Sequence, residues 1–147
     1  MVPSIVDSAG RANDVKRLRG WPATVELLSD TYKQGHDGNA YRAIAIDKRI
    51  HFYALNYNGI RETAPLYMWL YKSHPDNNHA EISHPLPPAD GPVLIVNYHN
   101  KPEYEKALSE DFTRLEPLPS LDLDLGGGKR RQLRLWAGYG YSPTTTR

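Results

Sequence analysis

Three short apolar segments constrain the fold more than any other feature of the sequence. Residues 41–46, 65–71 and 93–98 are each rich in apolar side chains and bounded by polar or turn-forming residues, which is typical of strands buried on both faces of a sheet. Helical patterns stand before the first segment, between the first two and after the third. Because parallel strands need a long crossover connection, usually a helix, this alternation predicts an α/β layered fold with a mainly parallel central sheet flanked by helices.

Each predicted helix has one apolar face with helical spacing. The first helix opens near Pro22 and the third at Pro102, and proline is favoured there because its missing N–H has no partner at a helix start. Apolar residues that recur every three or four positions are expected to face the sheet. They are Val25, Leu28 and Tyr32 in the first helix, Ile50, Tyr53, Ala54 and Tyr57 in the second, and Tyr104, Ala107, Leu108 and Phe112 in the third.

The end of the chain changes to the two-residue period of half-buried strands. Residues 121–125 alternate leucine with aspartate, and residues 132–136 alternate in the same way after three glycines at 126–128. The pattern predicts a C-terminal antiparallel β-hairpin in which aspartates on one strand face arginines on the other. The glycines followed by Lys129 also resemble a fragment of a phosphate-binding loop, but the full spacing and the following helix are missing.

Length and composition set the limits of the organisation. The 147 residues suit one domain, for which we expect a flexible lead-in over residues 1–15, a single α/β domain over 16–141 and a disordered tail over 142–147. The net charge of +1 argues against a nucleic-acid partner, and the absence of cysteine excludes disulfides and thiolate metal ligands. The longest charge-free apolar run, residues 64–71, is too short to cross a membrane.

Charged residues follow the first predicted strand. Asp47, Lys48 and Arg49 stand where that strand passes into a helix, and His79 and Glu81 belong to the proline-rich loop after the second strand. Ligands of open α/β sheets favour the carboxyl ends of strands, so one hypothesis is a small polar pocket at this edge. The alternative is structural: a helix cap with a salt bridge that pins the loop.

Several metal-ligand types fall in the same loop. Imidazole and carboxylate groups are suitable zinc ligands, but their spacing here matches no known motif and the loop leaves their geometry unconstrained. We therefore assign no metal and no cofactor. The residues concerned are His74, Asp76, His79, Glu81 and His84.

The order of four short motifs carries a family resemblance. They are Arg17-Leu18-Arg19-Gly20-Trp21 before the first helix, Asp47-Lys48-Arg49 after the first strand, Asn78-His79-Ala80-Glu81 in the loop, and Pro85-Leu86 followed by Gly91-Pro92-Val93-Leu94-Ile95-Val96. In this order they resemble the C-terminal region of bacterial membrane glycosyltransferases of family 39, which are relatives of the dolichyl-phosphate-mannose–protein mannosyltransferases. The resemblance covers residues 17–141 and departs at Ala80, where an aromatic residue is expected.

The resemblance implies a parent protein that transfers a sugar, such as mannose, from a polyprenyl-phosphate donor to a protein or lipid acceptor. Its catalytic acidic residue would lie in the membrane-embedded part of the same polypeptide, so no catalytic residue is assigned here and the chain alone is expected to be inactive. This region would be an extracytoplasmic domain at the bacterial inner membrane. Its candidate ligand-binding residues, for a sugar, glycolipid or peptide acceptor, are Asp47, Arg49, His79 and Glu81.

Two other functions remain open from the residues alone. Tyrosine supplies 10 of the 15 aromatic residues, and tyrosines on a surface suit a stand-alone protein-interaction module. A small histidine-dependent hydrolase, which would use the histidine loop together with Asp47, is the other alternative.

Overall fold

The three apolar segments form neighbouring parallel strands, as the sequence predicts. The computed structural model describes residues 20–71 and 84–143, and every structural statement below concerns these ranges. The elements are helix α1 (Trp21–Gln34), strand β1 (Ala43–Ile46), helix α2 (Arg49–Tyr57), a 3-10 helix (Ile60–Glu62), strand β2 (Leu66–Met68), strand β3 (Val93–Asn97), helix α3 (Pro102–Asp111), strand β4 (Phe112–Gly126) and strand β5 (Lys129–Tyr141). No helix in the described ranges has the length and hydrophobicity needed to cross a bilayer.

The strands make one five-stranded sheet in the order β2-β1-β3-β5-β4. Strand β1 pairs in parallel with β2 on one side and with β3 on the other, and Ile44 stands opposite both Leu66 and Leu94. Strand β5 lies antiparallel between β3 and β4. After β1 the chain passes through α2 to β2, and after β3 it passes through α3 to the hairpin of β4 and β5. The two connections lead to opposite sides of the sheet, and the carboxyl ends of β1 and β3 lie where they diverge.

Alternate residues of the central strands build two cores, one on each face of the sheet. Ile44 and Ile46 face α1 and α2 and lie in a cluster with Trp21, Leu28, Phe52 and Leu55. Ala43 and Ala45 face the other way and share a second cluster with Trp69 and the α3 residues Ala107 and Leu108. The fold is therefore an α/β layered structure with helices on both faces, which confirms the predicted class.

Of the α2 face predicted to be buried, only Ala54 is buried, because the helix turns its other side to the sheet. Its residues His51, Phe52, Ala54 and Leu55 are buried, whereas Ile50, Tyr53 and Tyr57 are exposed. The sequence of α2 is apolar on both sides, so periodicity could not choose between them. The two-residue connection from β1 decides the rotation, because α2 begins at Arg49 directly after Asp47 and Lys48.

Strand β4 begins earlier than predicted, immediately after α3. Phe112 was expected on the buried face of the third helix, but its extended backbone ends α3 and opens β4. Pro117 and Pro119 lie within β4. They are tolerated because β4 is the outermost strand of the sheet, where a missing N–H removes no ladder hydrogen bond; the register shifts between Leu118 and Leu121.

The C-terminal hairpin is present, and its charged ladder forms in part. Arg130 forms an ion pair with Asp122 at 2.9 Å, while Asp124 Oδ1 accepts the N–H of Gly126 at 2.8 Å. The three glycines all have positive φ, as a tight turn requires, so this segment is a hairpin turn. Arg131 and Arg134 reach away from the ladder to Thr24 and Asn97.

Gly138 of β5 provides a test of the packing on the α3 side. A Cβ at this position would stand 2.6 Å from Phe112 Cδ1 and 2.7 Å from Ile95 Cδ1. Both neighbours are buried core residues, so Gly138→Ala is expected to lower the free energy of unfolding by about 1–3 kcal/mol through overpacking. Urea unfolding measures the change. Gln132→Ala, at an exposed position of the same strand, is the control, and an unchanged stability of Gly138→Ala would contradict the packing described.

Candidate functional site

The carboxylate of Asp47 joins the carboxyl ends of β1 and β3. Its Oδ2 accepts hydrogen bonds from Asn97 Nδ2 at 2.6 Å and from the backbone N–H of His99 at 3.1 Å. Its Oδ1 accepts the backbone N–H of Tyr98 at 2.7 Å. Asp47 does not cap α2, since no side chain caps that helix. Instead the carboxylate fixes the loop that leaves β3.

Arg134 of β5 continues this hydrogen-bond network. Its Nη2 donates to Asn97 Oδ1 at 2.8 Å and to the carbonyl of His99 at 3.1 Å, and its Nη1 lies 3.4 Å from Glu105 Oε2 on α3. Asn97 is fully buried and is held on both ends of its amide. The network therefore runs from β1 through β3 to β5 and α3, and it presents acidic, basic and amide groups at one edge of the sheet.

Burial raises the pKa of the Asp47 carboxyl above its ordinary value, because a charge is less well solvated inside the protein. The N–H groups of Tyr98 and His99, the His99 charge and the Asn97 amide act in the opposite direction and favour the carboxylate. With both oxygens engaged, Asp47 serves as an acceptor that organises the edge.

Aromatic rings surround the same edge in two groups. His51 lies between Trp21 and Tyr98, with ring centroids 4.9 and 4.8 Å away in edge-to-face geometry, and Lys48 Nζ stands 4.2 Å above the Tyr98 ring. On the other side of the loop the His99 ring stacks on another aromatic ring. The stack consists of His99, Tyr104 and Tyr71, with 4.4 Å between successive centroids.

His51 is a buried neutral histidine. Its pKa is lowered to about 3, first by burial and then by the charges of Arg131, Lys48 and His99. Its Nδ1 has no hydrogen-bond partner among the described residues. An imidazole in this state serves as an aromatic spacer between Trp21 and Tyr98.

The predicted site residues separate into three groups. Asp47 is at the centre of the network, whereas Arg49 is exposed in the first turn of α2. His79 and Glu81 lie outside the described residues, as do His74 and Asp76 of the considered metal set. His84 is described, and its ring lies 5.3 Å from that of Phe52.

Sequence reasoning missed Asn97, His99, Arg134 and the stacked Tyr104. Asn97 and His99 follow a buried apolar strand, so the rule that placed Asp47 at a strand end could have selected them too. Arg134 had no such signal, because the alternation of its strand assigned it to the hairpin ladder. Only the antiparallel pairing of Arg134 with Asn97 brings it to this edge.

A second polar cluster lies on the hairpin side of the molecule. His36 Nε2 is 3.5 Å from Glu116 Oε2, and His36 Nδ1 is 3.7 Å from Asp37 Oδ2. These are metal-ligand types within reach of one another. However, Arg114 forms ion pairs with both carboxylates, and the Tyr139 hydroxyl hydrogen-bonds His36 Nδ1 at 2.6 Å. The cluster is accounted for by its own ion pairs.

Two open recesses occupy the opposite end of the sheet. One, of about 450 Å³, borders the start of β2 and includes Arg61 and His84. The other, of about 430 Å³, borders the starts of β1 and β3 and includes Arg42 and Asp90. The polar network at the carboxyl edge lines neither of these recesses.

Comparison with known proteins adds no family to this picture: no family model, no curated protein and no solved structure matches the chain.

Replacement of Asp47 tests its role as the acceptor at this edge. In Asp47→Asn the NH2 of the new amide would oppose at least one of the three donors, and leaving a donor without an acceptor destabilises a fold. We expect a loss of about 1–3 kcal/mol in the free energy of unfolding, measured by urea denaturation. Asp122→Asn, which removes an exposed ion pair, is the matched control and should change stability by less than about 1 kcal/mol. Equal losses in the two variants would contradict the assignment.

The buried His51 predicts a dependence of stability on pH. Its folded pKa of about 3 lies below its ordinary value of 6.5, so protons bind the unfolded state more tightly. The stability that neutral His51 contributes is complete above pH 6.5 and is lost as the pH falls towards 3, at up to ~1.4 kcal/mol per pH unit. In His51→Phe the slope of the unfolding free energy against pH should be smaller, by an amount equivalent to about one proton bound on unfolding. Identical slopes for the two proteins would contradict this assignment.

Proposed function

We propose that the chain is a non-catalytic extracytoplasmic domain of a membrane glycosyltransferase of family 39, and that the edge built around Asp47 contacts the acceptor. The parent protein transfers a sugar from a polyprenyl-phosphate donor to a protein or lipid acceptor. The membrane-embedded part of the same polypeptide carries the reaction, at the extracytoplasmic face of the bacterial inner membrane.

One observation carries the proposal: residues from two separate motifs of the resemblance meet at one edge of the sheet. Trp21 belongs to the motif before α1, and Asp47 with Lys48 belongs to the motif after β1. His51 and Tyr98 connect them, since the His51 ring contacts both Trp21 and Tyr98 while Tyr98 contacts Lys48 through its ring and Asp47 through its N–H. Motifs that meet in space are expected when they serve one site.

The chemistry of this edge suits a carbohydrate or a polar peptide. Sugars offer apolar C–H faces together with hydroxyl groups, and an exposed aromatic ring such as that of Tyr98 binds such faces. Lys48 and Arg134 supply hydrogen-bond donors nearby, and Glu105 supplies an exposed acceptor. The edge therefore combines a stacking surface with groups of both hydrogen-bonding types.

The same geometry favours binding over catalysis. A general base needs a carboxylate that is free to take a proton from the substrate, and the oxygens of Asp47 already accept three hydrogen bonds within the protein. The His99 ring stacks on Tyr104, which suits a role in a contact surface.

A stand-alone interaction module is the second candidate, and exposed tyrosines on α2 favour it. Tyr53 and Tyr57 project from the side of α2 that faces away from the sheet. Such a module would capture a protein partner and show no response to sugars.

An oligosaccharide titration tests the proposed contact. With the ¹⁵N-labelled chain and a mannose oligosaccharide, we expect amide shifts at Asp47, Tyr98 and His99 and none at the glycine turn of the hairpin. Tyr98→Leu should weaken binding by about threefold to tenfold, because it removes the exposed aromatic ring of this edge. Tyr57→Leu, on the outer side of α2, is the control and should bind as the unaltered chain does.

The outcomes separate the candidates. Shifts confined to other surfaces, or no shifts at all, overturn the acceptor contact. Turnover of a sugar or ester substrate by the purified chain contradicts a non-catalytic role. For the parent protein, the coding sequence upstream of residue 1 should encode several apolar helices, and deletion of residues 20–143 from the whole protein should reduce glycosyl transfer; an upstream stop codon would favour the interaction module.

A further inference from the structure

The side of α2 that faces away from the sheet is aromatic and basic. It consists of Arg49, Ile50, Tyr53, Asn56 and Tyr57, which we call the α2 outer face. Ile50 is 50% exposed, Tyr53 42% and Tyr57 86%. These are three of the five large apolar side chains that are exposed in the described ranges, so apolar exposure concentrates on this one short helix.

Folding of the domain does not account for this surface. The opposite face of α2 already supplies the core contacts, through Phe52 and Leu55. A helix that is apolar on both sides is normally covered on both sides, and contiguous exposed apolar patches mark interaction sites. Nothing in the described ranges covers Tyr57. The α2 outer face is therefore a candidate interaction surface.

Charge indicates the kind of partner. The α2 outer face has no acidic residue, and its first turn carries Arg49, which forms no ion pair with the described residues. Lys48 precedes the helix and lies over the Tyr98 ring, a further exposed aromatic ring at the amino end of α2. The amino end of a helix is itself electropositive. Cations and a positive helix end beside tyrosines fit an anionic surface.

We propose that the α2 outer face docks on the surface of an anionic phospholipid bilayer. Tyrosine is enriched at the level of lipid headgroups, where its ring meets apolar chains and its hydroxyl meets water. Arginine and lysine near such a surface bind lipid phosphates, and an amphipathic helix lies in the interface with its apolar residues inward. Ile50, Tyr53, Tyr57 and Arg49 provide each of these features on one side of one helix.

This inference rests on the proposed function, which places the domain beside a membrane. Helix α2 starts two residues after Asp47, so a bilayer held against its outer face would also be close to the carboxyl edge of β1 and β3. Docking would keep the proposed acceptor contact at the height of a membrane-embedded reaction centre. The lipid surface would orient the domain, while the edge around Asp47 would remain open to the acceptor.

Vesicle flotation tests the docking. The purified chain is mixed with vesicles of phosphatidylcholine alone, or of phosphatidylcholine and phosphatidylglycerol in equal amounts, and we expect flotation only with the anionic vesicles. Arg49→Gln should reduce the partition coefficient by about fivefold, and Tyr53→Ser with Tyr57→Ser by at least about tenfold. Lys106→Gln on α3 and Leu27→Ser on α1 remove an exposed cation and an exposed apolar side chain elsewhere and should have little effect.

A spectroscopic readout reports which surface of the bound chain faces the bilayer. The tryptophans Trp21, Trp69 and Trp136 are buried, so in Tyr57→Trp the new exposed indole is the one that brominated lipid can quench. Quenching at this position, with none in Leu27→Trp, supports the orientation.

Three results would overturn the proposal: no flotation with anionic vesicles, equal binding to anionic vesicles by the Arg49→Gln variant and the unaltered chain, or no quenching in Tyr57→Trp. A protein that binds the α2 outer face while vesicles do not would assign this surface to a protein partner instead. The oligosaccharide titration involves the edge around Asp47 rather than the α2 outer face. Its result therefore distinguishes failure of membrane docking from failure of the proposed function.

Discussion

One half-buried carboxylate holds the carboxyl ends of β1 and β3 together. Asp47 ends β1, yet all of its hydrogen bonds go to the segment that leaves β3. Because Asn97 also binds Arg134, the position of β5 is tied to the same point. The Asp47 carboxylate therefore fixes the backbone of the loop that carries Tyr98 and His99. The loop in turn shields that carboxylate from water. Without that acceptor, the N–H groups of Tyr98 and His99 would lose the hydrogen bonds that fix the loop.

The aromatic residues are organised around this network. Backbone hydrogen bonds to Asp47 set where Tyr98 and His99 emerge, and their rings then extend in two directions. Tyr98 reaches through His51 to Trp21 on α1, and His99 reaches Tyr104 on α3. Both helix layers are thus connected to one edge of the sheet. The α2 outer face begins at the same edge and extends away from it.

The prediction of the second helix shows where periodicity reaches its limit. In α2 two sets of apolar residues share helical spacing, and the set with the larger aromatic residues was chosen as the core. The structure buries the other set, with Phe52 and Leu55 on the sheet. An amphipathic pattern identifies an inward face only if the outward face is polar. When it is not, as with Tyr53 and Tyr57, periodicity leaves the buried face undecided.

The sequence by itself determined the α/β class, the parallel pairing of the apolar strands, the hairpin and the position of Asp47 at a strand end, because each depends on local periodicity or on neighbouring residues. Tertiary structure alone decided the partners of Asp47, which lie 50 to 52 positions away, and the placement of Arg134. It also decided which face of α2 is buried and that β4 is an edge strand able to hold Pro117. These features follow from the order of strands in the sheet, and contacts between distant segments leave no local pattern in a single sequence.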